Sequence, residues 1–200
     1  AFKVITADQE AALPYLRAAS DRAVREPDAL DPDEQLHFYA LFLLGQFQDK
    51  ASFSRILDLA SLPLETLDVL IGDAVTEALP DIMYNTFDGN IELLKQRIMD
   101  TEVDEFVRTG IASVLGQLYL DGRLPETEWK AIIRQVIHQA REYEHVLDKM
   151  AEMICECHFI EMLGEIRYLF DHDLIDEHFV GGYDAHVDLM FNYGKEHRPY

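Results

Sequence analysis

The chain has 200 residues, of which 48% are hydrophobic, so it is long and apolar enough to fold around a core and is not a disordered polymer. Its net charge is −21, from 8 basic against 18 acidic residues in the first half and 9 against 20 in the second. That even field repels nucleic-acid phosphate and anionic lipid, keeps the protein soluble and favours basic partners.

No apolar run reaches the ~18 residues of a membrane span, and the opening AFKVITADQE has no apolar core of a secretory signal. The only cysteines, Cys155 and Cys157, are two apart, a poor disulfide spacing on a helix. Reduced thiols and a cytoplasmic setting are expected. No membrane or nucleic-acid partner is expected.

Helical spacing dominates and strand signals are nearly absent. The first predicted helix runs over residues 14–24 with Pro14 in its first turn. A second spans 32–48, opened by a capping box of Asp31, Pro32 and Glu34, and it is apolar over most of its circumference. Ser52 is expected to cap a shorter helix ending at Ala60. The stretch 62–100 carries Leu64, Leu67, Leu70 and Ile71, then Gly72-Asp73. Beyond it lies either a new helix capped by Asp73 or one helix kinked at Gly72 and near Pro80. Asp88-Gly89-Asn90 turns the chain into a helix with Ile91, Leu94 and Ile98 inward.

A helix over 103–120 holds Gly110 and Gly116, which suit close approach by neighbours. Further helices begin at Pro125, with Trp129, Ile132, Ile133, Val136 and Ile137 inward, and run over 146–157 and 160–170. Residues 177–200, with the Gly181-Gly182 pair, read as a terminal cap. Turns near Asp49, Asp88, Asp121 and His158 recur every 33–39 residues. Paired helices at that period predict an all-α, HEAT-like α-α superhelix: a short right-handed solenoid of about four helix pairs plus terminal helices, forming a single domain over 1–200.

Three runs, LHFYALFLLGQFQDKASFSRILDLASLP, IGDAVTEALPDIMYNTFDGNIELLKQRIMD and DEFVRTGIASVLGQLYLDGRLPE, carry a family resemblance. The chain resembles a bacterial HEAT-like domain family of unknown function, similar to the HEAT-like repeats of phycobilisome lyases. Longer members end in a SEC-C zinc motif, whose cysteines this sequence lacks. The match is best over about residues 12–125 and continues as helix lengths to 176. Its most specific part is Gly72-Asp73-x-x-Thr76-Glu77, then Asp88-Gly89 and Phe106-Val107-Arg108. The resemblance implies a fold and no activity.

Asp73, Thr76 and Glu77 share one helix face at i, i+3 and i+4. With Arg108 they are the candidate binding residues, a polar patch on a concave side. The structural alternative has Asp73 capping its helix and Glu77 pairing with Arg108 of the next unit, which suffices to explain the residues. Seven of eight histidines lie in the second half, and His138 and His145 fall on one face of an unbroken helix. Glu142-x-x-His145 and Glu34-x-x-His37 have the spacing of di-iron bundles, which also require long facing helices. Cys155-x-Cys157-His158 is an incomplete zinc pattern. Nucleophile elbow, phosphate-binding loop, dinucleotide fingerprint and zinc-protease motif are all missing.

These readings favour a non-catalytic scaffold that binds a protein partner, with no cofactor. The alternatives are a metal-dependent enzyme or metal-binding protein using the C-terminal His, Cys and Glu residues, and a chaperone-like binder of a prosthetic group or its carrier.

Overall fold

The structure is a computed structural model that describes residues 8–31 and 35–192. The described residues are helices and turns, with no strand. They form two compact units, 1–114 and 115–200, the division falling inside one long helix. Pro32 and Glu34 of the expected capping box, and the terminal segment from Tyr193, including His197, lie outside the described residues.

In the first unit α1 (Gln9–Arg25) starts earlier than expected, because Asp8 rather than Pro14 opens it: the Asp8 carboxylate accepts from the Ala11 amide at 3.1 Å. Pro14 is accommodated inside the helix. Leu16, Ser20 and Ala23 form its buried stripe. It packs on α2 (Leu36–Gln46) and α3 (Phe53–Ala60). α2 buries His37, Ala40, Leu41, Leu43, Leu44 and Gly45, and it also packs on α4 (Leu64–Ile71).

A polar hub ties α1 to the turn between α2 and α3. Asp49, 8% exposed, accepts from Arg17 Nε at 2.8 Å and Nη2 at 2.5 Å, and from the Ser52 hydroxyl at 2.5 Å. Ser52 therefore serves Asp49 and makes no cap bond to α3. Arg55 adds a second tie, to Asp21 at 2.7 Å.

Residues 64–86 resolve into three helices: α4, α5 (Ala74–Glu77) and α6 (Leu79–Thr86). Gly72, at φ 52° and ψ −135°, ends α4 in a conformation that a side chain would oppose. Ala78 separates α5 from α6, and Pro80 sits in the first turn of α6, where its missing N–H costs nothing. The Asn90 side chain then caps α7 (Ile91–Met99) through the Leu93 amide at 3.2 Å.

α8 (Glu105–Leu120) carries the division between the units. In the second unit α9 (Glu126–Gln139) buries Trp129, Ile132, Ile133, Val136 and Ile137, as the spacing predicts. α9 packs on α10 (His145–Glu156) and α11 (Leu163–Asp171). α10 and α11 also pack against α13 (Tyr183–Asn192), which follows the single turn α12 (Glu177–Val180) and Gly181.

The two units share a local module. α2 and α10 both end on a non-glycine residue in the left-handed region, Gln48 at φ 52° and His158 at φ 54°. In each the following amide bonds back across the turn, Asp49 to Leu44 and Phe159 to Ile154, both at 3.0 Å. This is the Schellman closure. A short 3₁₀ turn, Lys50–Ser52 or Ile160–Met162, then leads straight into the next helix.

The second unit has its own buried carboxylate. Asp148 accepts from the Tyr143 hydroxyl at 2.9 Å and the Asp176 amide at 3.2 Å, pinning the loop before α10 and the start of α12. The two hubs titrate in opposite directions. Hydrogen bonding from the Arg17 guanidinium holds Asp49 below the usual carboxylate value of 3.8, whereas burial pushes Asp148 above it. The stability Asp49 contributes is present above the unfolded value and lost as pH falls through its depressed one. The Asp148 contribution is present below the unfolded value and lost as pH rises through its elevated one.

Urea midpoints measured from about pH 7 to about pH 3 should therefore diverge. The advantage of the wild type over Asp49→Asn shrinks with acid, while its standing relative to Asp148→Asn improves. Parallel curves for all three proteins would refute this assignment. At neutral pH Asp49→Ala should cost about 2 kcal/mol, since Arg17 is only partly able to recover water.

Gly110 and Gly116 do sit at close approaches. A Cβ on Gly110 would lie 3.0 Å from Pro80 Cγ, and one on Gly116 would lie 2.5 Å from Met153 Sδ. The proline ring cannot turn aside, whereas methionine has three rotatable bonds. Gly110→Ala should lose a net ~1 kcal/mol after the gain of ~1 kcal/mol in helix propensity, and Gly116→Ala should lose less. Calorimetric melting of the two variants checks the order.

Candidate functional site

The four residues expected to bind do not form one surface cluster. Asp73, Thr76 and Glu77 are all exposed along α5. Asp73 stands at the start of that helix but its carboxylate makes no cap bond, and the Thr76 hydroxyl donates to the Asp73 carbonyl at 3.3 Å. Arg108 is 3% exposed, and its Nε donates to the Ile98 carbonyl at 2.9 Å, so it fastens α8 to the end of α7.

The motif residue just before them leads elsewhere. Gly72 lines a cavity of about 480 Å³ between α2, α4 and the turn at 27–31. Its apolar wall is Leu30, Phe38, Val69 and Ile71. Asp28, Asp31, Gln35 and His37 supply its polar groups among the described residues, and the Arg22 guanidinium donates to the Ala29 carbonyl of the same turn at 3.3 Å. The size is that of a small-molecule site.

His37 is the unusual member. It is 7% exposed, and its Nε2 lies 2.9 Å from the Leu70 carbonyl. A carbonyl only accepts, so Nε2 carries the proton and donates. Nδ1 is then left as a buried acceptor, and it has no partner among the described residues. An unsatisfied buried acceptor costs about 1–3 kcal/mol. In the sequence His37 figures only through Glu34-x-x-His37. The signal that could have found it is an imidazole at a core position of an apolar helix.

Outward from the same helix runs an aromatic ladder. Phe38 contacts Tyr39 edge-on at 5.7 Å between centroids and Phe42 at 4.9 Å, and Tyr39 and Phe42 are 41% and 38% exposed. Val69 on α4 is 85% exposed.

The histidines and cysteines of the second unit disperse. α9 ends at Gln139 and His145 opens α10, so His138 and His145 are on different helices; the His138 ring packs on Tyr168 at 4.9 Å. His145 Nδ1 lies 2.8 Å from the Tyr143 hydroxyl, and Glu142 is exposed. His158, His172 and His186 each donate through Nδ1 to a backbone carbonyl, of Met190, Tyr168 and Gly182. Cys155 Sγ points to the His186 carbonyl at 3.6 Å. Burial pushes both thiols up to about 12, so neither is a thiolate at neutral pH. Among the described residues no three His, Cys, Asp or Glu side chains converge as a metal site would require.

A second cavity, of about 660 Å³, lies along α13 between Phe179, His186 and Glu152. Its polar groups are already engaged: Glu152 with Lys149 at 2.8 Å, and His186 as above. No helix among the described residues is long and apolar enough to cross a membrane.

The chain has relatives among known proteins. It is similar to an uncharacterized protein of Chlamydia muridarum (strain MoPn / Nigg), 26% identical over 176 residues that cover 86% of this chain and 70% of that protein. An uncharacterized protein of Chlamydia trachomatis serovar D matches at the same identity and coverage. No solved structure matches significantly. The family described as "Protein of unknown function (DUF1186)" matches residues 1–198, and the chain belongs to that family.

Proposed function

We propose that the protein is a non-catalytic interaction scaffold whose partner is a protein with a basic, amphipathic surface. The observation that carries this is the aromatic ladder on α2, half-buried Phe38 with exposed Tyr39 and Phe42, on a chain of net charge −21. Contiguous exposed aromatic area is characteristic of binding surfaces, where tyrosine and other aromatics act as anchors. A surrounding acidic field speeds encounter with a basic partner.

Asp73, Thr76 and Glu77 offer a further polar face in the same unit, and Arg108 lies apart from it, tying α8 to the end of α7. The helix–turn–3₁₀–helix module that recurs in both units supports a HEAT-like repeat ancestry, and HEAT-like solenoids are interaction surfaces. A cytoplasmic setting fits the two free thiols.

The test is quantitative affinity capture from cell lysate at low salt, with wild type and the Tyr39→Ser/Phe42→Ser double variant side by side. The expected result is a basic partner retained by the wild type, released by salt, and reduced about tenfold or more by the double variant, as loss of an anchor of ~1.4 kcal/mol requires. Replicates that enrich no partner, or a partner held equally by both proteins, would count against the proposal. An Asp73→Asn/Glu77→Gln variant run in parallel reports whether the α5 face takes part.

A further inference from the structure

We propose that the outer face of α4, continued past Gly72 onto α5, is a docking surface for a basic amphipathic helix of a partner protein. It adds a second surface to the scaffold reading. It rests on other residues than the α2 ladder and stands whether or not that ladder is used.

The charge is concentrated here. Residues 56–94 contain eight acidic residues and no lysine, arginine or histidine, whereas no other stretch longer than 14 residues lacks all three. Asp58 and Glu92, towards its ends, are met by Arg97 and Lys95 from beyond it. Glu65, Asp68, Asp73 and Glu77 are exposed, and none of them forms an ion pair among the described residues.

The apolar component is independent of that charge. α4 turns Leu67, Leu70 and Ile71 inward. At helical spacing Leu64, Glu65, Asp68 and Val69 then share the opposite side. Leu64 is 45% exposed and Val69 85%, so two aliphatic side chains face water beside two carboxylates. A helix with lysines or arginines next to leucines presents the complement of this side at the same spacing. Its leucines cover Leu64 and Val69, and its cations meet carboxylates that have no cation of their own. Asp73 and Glu77, four apart across α5, carry the acceptors further along the chain. Phosphate-bearing partners are repelled by the same field, and a simple cation makes no use of the aliphatic side chains.

The experiment uses the full ¹⁵N-labelled chain and a synthetic leucine–lysine amphipathic helix of about five turns as the probe. Two peptides serve as comparison: one with glutamate in place of lysine, and one of the same composition in scrambled order. The expected result is saturable, salt-sensitive displacement of the backbone amide signals of residues 64–77. Both comparison peptides should bind at least about tenfold more weakly. Val69→Ser, and separately Glu65→Gln/Asp68→Asn, should each weaken binding about fivefold or more with the melting temperature little changed. Asp171→Asn/Asp173→Asn removes as much charge from exposed positions of the second unit and should leave binding intact. The proposal is overturned if the scrambled peptide binds as tightly, or if the second-unit variant weakens binding equally. Displacements confined to residues 38–42 also overturn it while leaving the scaffold reading in place. Displacements over 64–77 that persist in Tyr39→Ser/Phe42→Ser support it without the α2 ladder.

Discussion

The first unit depends on one desolvated carboxylate. Asp49 takes both nitrogens of the Arg17 fork and the Ser52 hydroxyl, and in doing so joins α1 to the turn where α2 ends and α3 begins. A buried carboxylate without such partners would be expelled or neutralised, so the ion pair specifies which way α1 lies across α2. With α2 fixed at its far end by Asp49, its near end holds His37 against the Leu70 carbonyl of α4. The cavity is the space those two constraints leave open.

The second unit solves the same packing problem without a guanidinium. Asp148 is satisfied by a tyrosine hydroxyl and a backbone amide, which are weaker partners for a carboxylate than a guanidinium. Burial therefore dominates its titration and raises it, where the Arg17 bonds dominate that of Asp49 and lower it. Two hubs in corresponding roles thus respond oppositely to acid. Lys130 of α9 reaches the turn equivalent to that of Asp49, where it pairs with Glu126 and Glu161 and lies 4.3 Å over the Phe159 ring.

How much of this the sequence revealed follows from the range of the forces involved. The amphipathic stripe of α9, the Asp88-Gly89-Asn90 turn and the packing glycines are local or periodic features, legible in the pattern. The start of α1 is hidden because Pro14 has the form of an opening residue, while Asp8 six residues earlier supplies the cap. Asp73 was expected to cap α5, but a helix of four residues between two breaks has little to gain from it. Arg108 looks in sequence like an inter-repeat partner for Glu77. Its place on the Ile98 carbonyl depends on where α8 meets the end of α7, ten residues back, which no periodicity encodes. The His37 tautomer is set across 33 residues and was equally illegible.

The charge balance also changes meaning once the pairs are known. Several of the cations face inward along their own helices or onto a neighbour: Arg17 on Asp49, Arg55 on Asp21, Arg97 on Asp58 and Arg134 on Glu165. Arg108 is buried, and Arg167 lies 3.5 Å over the Tyr183 ring. Each such pair removes one carboxylate from the outer field along with its cation, yet the acids outnumber the bases 38 to 17. The carboxylates left over after pairing therefore set the outer potential with little positive relief between them. Screening over about 8 Å at physiological salt confines that potential to a thin layer at the surface. Selectivity for cations consequently needs local geometry beyond the net charge.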